Sequence, residues 1–169
     1  VLGLRPQDLG ELLFAATAGA AIIAMVGLAS TRAGHEVRRI TRDWGACDPS
    51  NPKNRRRRAS MLVERVSKDG GKTVVVVDTG PDFRDQMISA EVKWLDAAVY
   101  THAHADHIHG IDDLRGYWLS QRRLIDIHAD EETLARLRDG FGYCFETPKG
   151  SAYPPIVAPH VINHEDAFD

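Results

Sequence analysis

Thr73 to Val77 reads TVVVV, a run of β-branched residues with no polar alternation. A strand of this kind is buried on both faces, so it needs cover above and below its sheet. That requirement points to an α/β fold. The flanking sequence agrees. Met61 to Val66 has strand character, and Asp69-Gly70-Gly71 supplies the turn of a hairpin into Thr73. Ala97 to Tyr100 and Leu124 to His128 read as two further short strands. Helices are expected over 83–91, after the start signal Pro81-Asp82, and over about 111–119. A third is expected over 130–138, with Asp130 as N-cap and Leu134 and Leu137 inward. Gly and Pro are frequent from Gly140 onward, so that segment is expected to be loop with at most one strand.

At 169 residues the chain is one ordinary domain, and 43% hydrophobic with 27% charged residues is a globular composition. Its net charge of −3 excludes a generally basic nucleic-acid coat, and no nucleic-acid partner is expected. The basic run KNRRRR, 53–58, is read as a solvated loop end, with a phosphate-facing rim as the sharper alternative. Two cysteines, Cys47 and Cys144, cannot build a disulfide scaffold or a four-cysteine zinc ribbon. Leu12 to Thr31 holds no charged residue and is rich in alanine. A helix is expected there, either docked on the protein or set in a membrane, and residues 1–32 are read as a segment apart from a domain over 33–169. Arg5, Asp8 and Glu11 do not form the basic start of a signal peptide. A cytoplasmic location is expected, with a membrane tether through 12–31 as the alternative.

Four of the eight histidines fall within residues 102–109. His102, His104, Asp106 and His107 form H-x-H-x-D-H directly after the strand expected at 97–100. Alternate residues of an extended chain point the same way, so His102 and His104 can converge on one metal ion. Asp106 and His107 lie on the turn beyond and can face a second. Imidazole nitrogen with carboxylate oxygen suits zinc, manganese or iron. Asp78 closes the buried strand, where ligands of α/β sheets gather, and is a natural acceptor for the outer N–H of a ligand imidazole. The alternative for Asp78 is a turn cap before Gly80-Pro81. His109 and Arg115 are candidates for the pocket wall, His109 equally for the helix entry. His128, His160 and His164 are scattered, and each alone is read as structural or solvated.

H-x-H-x-D-H after a buried strand, with an upstream strand ending in Asp-Thr-Gly, resembles the metallo-β-lactamase superfamily of binuclear metallohydrolases. DWGACDPSNPKNRRRRAS, DTGPDFRDQM, THAHADHIHG and IDDLRGYW narrow the resemblance to its PhnP-like branch, the phosphoribosyl 1,2-cyclic phosphate phosphodiesterases and their relatives. It runs from about Arg38 to the C-terminus. It implies an αββα sandwich, two divalent ions (zinc or manganese), and hydrolysis of a small phosphodiester. By position, His102 and His104 would bind one ion and Asp106 and His107 the other. Asp78 would support them, and Asp106 would lie close to the nucleophilic water. The family continues with a ligand histidine, a bridging aspartate and a final histidine. Nothing up to Asp169 resembles them, so the N-terminal part of the sandwich and weak or partial metal binding are expected. Two functions follow: a metal-dependent phosphodiesterase, or a truncated or degenerate metal-binding domain without turnover. A superfamily hydrolase of another ester class is the remaining alternative.

Overall fold

A computed structural model of the chain describes residues 21–24, 44–54 and 57–163. Six strands form one sheet in the order β1 (Ala21–Ala24), β2 (Met61–Val66), β3 (Lys72–Val77), β4 (Ala97–Val99), β5 (Ile125–Ala129) and β6 (Val157–Val161). The first three are antiparallel neighbours, and β3 to β6 run parallel. The parallel strands are linked by α1 (Phe83–Ser89), by α2 (Ala105–Ile108) with a 3-10 turn (Ile111–Leu114) and α3 (Arg115–Gln121), and by α4 (Glu131–Phe145).

The valine run behaves as its composition requires. Val75 and Val76 point to opposite faces, yet are 3% and 0% exposed. The larger core lies on the Val76 side, where Leu62, Val74, Ala98, Ile125 and Ile127 meet Phe83, Met87, Ile111, Leu114, Leu134 and Leu137 of the helices. The other face carries Val63, Val75 and Ala97 with Met61 and Val99 beside them. Register extends that face through Asp126 and His128 of β5 to His160 of β6. His128 is fully buried there, its ring stacked on His160 at 4.7 Å. His160 Nε2 and Asp126 Oδ1 are 2.7 Å apart. Among the described residues neither ring nitrogen of His128 has a hydrogen-bond partner.

Two expectations need correction. Within the apolar N-terminal stretch, Ala21–Ala24 is a strand paired with Leu62 to Arg65, not helix, and joins the sheet rather than standing apart from it. Open hydrogen-bonding groups on the edge of β2 outweigh the helix preference of alanine over four residues that include two isoleucines. The rest of 12–31 lies outside the described residues, and the helix and membrane expectations for it lie there too. No helix among the described residues is long and apolar enough to cross a membrane. The second correction concerns α4, which runs through Gly140 and Gly142 to Phe145 instead of ending near 138. Its backbone breaks helical geometry at Phe141 (φ −133°, ψ 35°). Cys144, fully buried, carries the helix past the glycines, and its carbonyl accepts from Ile156 N at 2.8 Å. Asp130 caps this helix as expected, its carboxylate accepting from Thr133 N at 2.7 Å. One strand, β6, follows.

Candidate functional site

The parallel strands β3 to β6 end on one edge of the sheet, and the histidine motif leaves the end of β4. Tyr100 N still bonds across to His128 O at 2.8 Å, and regular pairing stops there. The chain stays extended through His104 (φ −74°, ψ 149°) and then turns into α2, which carries Asp106 and His107. His107 N returns to His104 O at 2.9 Å and closes the first turn. Three imidazoles are thereby brought together. The His102 ring lies 4.6 Å from that of His104 and 4.0 Å from that of His107, centroid to centroid. His107 Nε2 is 3.6 Å from Asp106 Oδ2, and the Asp106 side chain stays open to solvent.

Asp78 organises this group from beneath. It adopts a left-handed backbone (φ 62°), uncommon for a residue with a Cβ. Its N donates to Val99 O at 2.8 Å and its carbonyl accepts from Ser60 Oγ at 3.0 Å. The buried carboxylate accepts from Thr101 N and Thr101 Oγ1, both at 2.8 Å, and lies 2.7 Å from His107 Nδ1. An ionised carboxylate only accepts, so His107 donates from Nδ1, and its neutral form keeps the lone pair on Nε2. The same reasoning reaches His102. Thr101 Oγ1 gives its one proton to Asp78, so toward His102 Nδ1, 2.9 Å away, it accepts. His102 then also donates from Nδ1, and its neutral form presents a bare Nε2. One carboxylate thus sets both tautomers, directly and through a hydroxyl.

That donor chemistry fits divalent cations: unprotonated Nε2 atoms, outer N–H groups held by acceptors, and a carboxylate beside them. His102 with His104, and Asp106 with His107, supply two donors each. Among the described residues no group of three or more His, Cys, Asp or Glu converges to hold a single ion.

The sequence reading missed the roles of Thr101, Ser60 and the buried pair Thr79 Oγ1–Tyr100 OH, 2.8 Å apart beneath the loop. For Thr79, Tyr100 and Thr101 the signal was only nearness in sequence to Asp78 and His102, and Ser60, eighteen residues from Asp78, carried none. Burial pushes the Tyr100 phenol well above its ordinary pKa, so it stays protonated. His109 and Arg115 make their contacts elsewhere. The His109 ring meets Phe141 at 5.6 Å, whereas Arg115 lies 3.7 Å from Asp112 and above the Tyr153 ring. His128 and His160 are paired on the second sheet face, and His164 lies outside the described residues. Of the basic run, Arg57 bonds Asp85 O and Ser89 Oγ, and Arg58 bonds Asp82, so both are engaged with α1 and the loop before it. The fully buried Gln86 donates to Arg58 O at 2.8 Å. The PDFRDQ segment therefore ties the approach to β2 onto α1.

Residues 73–169 match the beta-lactamase superfamily domain. A crystal structure described as a new diphosphatase from the PhnP family is 30% identical, with a TM-score of 0.61 over 85% of this chain and 51% of its own. The metallo-beta-lactamase fold protein YhfI from Bacillus subtilis is 15% identical, with a TM-score of 0.46 over 85% of this chain and 45% of its own. Among curated proteins, an octanoyltransferase of Porphyromonas gingivalis (strain ATCC BAA-308 / W83) is 35% identical over 99 residues, 59% of this chain and 19% of that protein. The chain thus spans about half of the diphosphatase and a fifth of the curated relative. The mixed sheet with its helices is part of a metallo-β-lactamase-like fold.

Proposed function

The chain belongs to the beta-lactamase superfamily, and on that premise we propose that it carries the first half of a metal-dependent phosphodiesterase site. The proposed substrate is a small phosphodiester, above all a cyclic phosphate on a ribose. The observation that carries this reading is the hydrogen-bond arrangement at the sheet edge, which fixes the tautomers of the neutral rings. Asp78 and Thr101 hold the Nδ1 protons of His107 and His102, leaving two Nε2 lone pairs beside His104 and Asp106.

His102 and His104 would hold one divalent ion, Asp106 and His107 the other. When bound, such ions supply Lewis acidity toward phosphoryl oxygens and a strong nucleophile at neutral pH. The chain's own contribution is orientation. Asp78 keeps the His107 ring from rotating and keeps its proton on the inner side. Thr101 does the same for His102. Asp106, more than half exposed at its side chain, is the carboxylate that faces incoming water and substrate. The remaining donors of a complete site would come from later strands, as the family resemblance implies.

Hydrolysis of bis-p-nitrophenyl phosphate, measured in a form of the protein that carries those later donors, tests the reading. Turnover is expected with added manganese or zinc and is expected to stop with a chelator. Asp106→Asn should lower it at least about a hundredfold, a loss of about 2.7 kcal/mol in transition-state stabilisation. Unchanged turnover in that variant, or turnover indifferent to the chelator, would sink the proposal.

A further inference from the structure

The turn that holds Asp78 and the turn that holds Asp106 and His107 touch main chain to main chain. Thr79 N donates to His107 O at 2.8 Å, and Gly110 N donates back to Thr79 O at 2.7 Å. A glycine stands on each side of this contact. A Cβ at Gly80 would run into the carbonyl oxygen of Asp106 and stand 3.2 Å from its carbon. A Cβ at Gly110 would run into the carbonyl oxygen of Gly80 and stand 2.9 Å from both Thr79 O and Phe83 Cβ. Neither glycine has a positive φ, so backbone freedom is not the reason for its presence. The reason is space. Any larger residue must push the two turns apart, because the nearest obstacles are backbone carbonyl oxygens, which cannot swing aside.

We propose that Gly80 and Gly110 are positioning residues that clasp the two turns and so keep the Asp78 carboxylate on His107 Nδ1. This rests on the proposed role of His107 as a metal donor, but the clasp itself is a property of the chain. Thr79 and Gly110 supply its two hydrogen bonds, and the glycines supply the close approach. Parted by a single Cβ, the turns would carry His107 away from Asp78. The His107 tautomer would then no longer be dictated, and its Nε2 would no longer be held bare toward the site.

The test uses the full 169-residue chain, labelled with nitrogen-15 and free of metal. In the unsubstituted chain, a downfield His107 Nδ1–H signal and slow exchange of the Thr79 and Gly110 amides are expected. In Gly80→Ala and Gly110→Ala the imidazole signal should be lost and both amides should exchange at least about tenfold faster. Gly116→Ala, where a Cβ would meet nothing within 4 Å, should change neither. A folded Gly80→Ala or Gly110→Ala variant that is less heat-stable but keeps the His107 signal would mean a merely structural role and would overturn the clasp. Should neither variant fold, the exchange rates of the unsubstituted chain decide: fast exchange at Thr79 and Gly110 overturns the proposal, and slow exchange supports it. None of these readouts depends on turnover, so the clasp can fail while the phosphodiesterase reading stands, and the reverse.

Discussion

Asp78→Ala is expected to lower folding stability by about 2 to 4 kcal/mol, a large loss for one substitution. The carboxylate is buried and accepts three hydrogen bonds: from Thr101 N, Thr101 Oγ1 and His107 Nδ1. Its removal takes the acceptor from all three. Thr101 is exposed and its groups can turn to water, so the cost falls mainly on the partly buried His107 Nδ1 and the emptied carboxylate site, about 1–3 kcal/mol. Alanine must also adopt the left-handed backbone that Asp78 holds at φ 62°, which adds about 1 kcal/mol. Asp78→Asn should behave differently. The amide keeps the shape, but its NH2 group cannot accept. When its oxygen faces Thr101 N, its NH2 meets His107 Nδ1 and favours the opposite tautomer, with the proton on Nε2. This variant is expected to keep more of the stability and to lose the bare Nε2. Urea unfolding of both variants checks the first part. A loss below about 1 kcal/mol in Asp78→Ala would show that the carboxylate network does not hold the loop.

Acid should destabilise the protein well above the pH at which most carboxylates titrate. His128 is fully buried, and burial first, then the neighbouring His160, lowers its pKa to about 4, with Asp126 opposing. In the unfolded chain it titrates near its ordinary value of 6.5. A depressed pKa means that the native state refuses a proton which the unfolded state accepts. The contribution of neutral His128 is therefore fully present above about pH 6.5 and is lost as pH falls toward 4, by about 1.4 kcal/mol per unit and up to about 3 kcal/mol in all. The groups that share its environment are His160, stacked on it, and Asp126, bound to His160 and 3.3 Å from Arg123. His128→Leu removes the titrating group together with its two nitrogens, which have no hydrogen-bond partner among the described residues. It should flatten the pH dependence of unfolding between 6.5 and 4 while leaving stability at pH 7 unchanged or higher. An unaltered slope would contradict this assignment.

What could be read from the chain beforehand follows from how local each signal is. The valine run, the Asp69-Gly70-Gly71 turn and the Asp130 cap depend on near neighbours, and all are found where they were expected. The extent of α4 depends on Cys144 reaching the core, which no property of Gly140 or Gly142 announces. Ala21–Ala24 depends on a partner forty residues away, so an alanine-rich stretch read locally looks helical. The site divides in the same way. His102, His104, Asp106 and His107 stand in one motif, and Asp78 could be placed beside them because strand ends gather at one edge. The Thr101 relay to His102 is invisible in sequence, because it needs one hydroxyl to donate to Asp78 and accept from the next residue. His128 and His160 are thirty-two positions apart and meet only through the register of β5 with β6.

The central claim is that the 102–107 loop, prepared by Asp78, binds divalent metal. Calorimetric titration of zinc into the 169-residue chain, alongside His102→Ala, tests it most directly. Two donors per ion should give detectable but weak binding, well short of a site with three protein ligands. His102→Ala should weaken it at least about tenfold, no less than the loss of a supporting partner costs at known metal sites. Zinc affinity left untouched by His102→Ala would place the donors elsewhere and contradict the account.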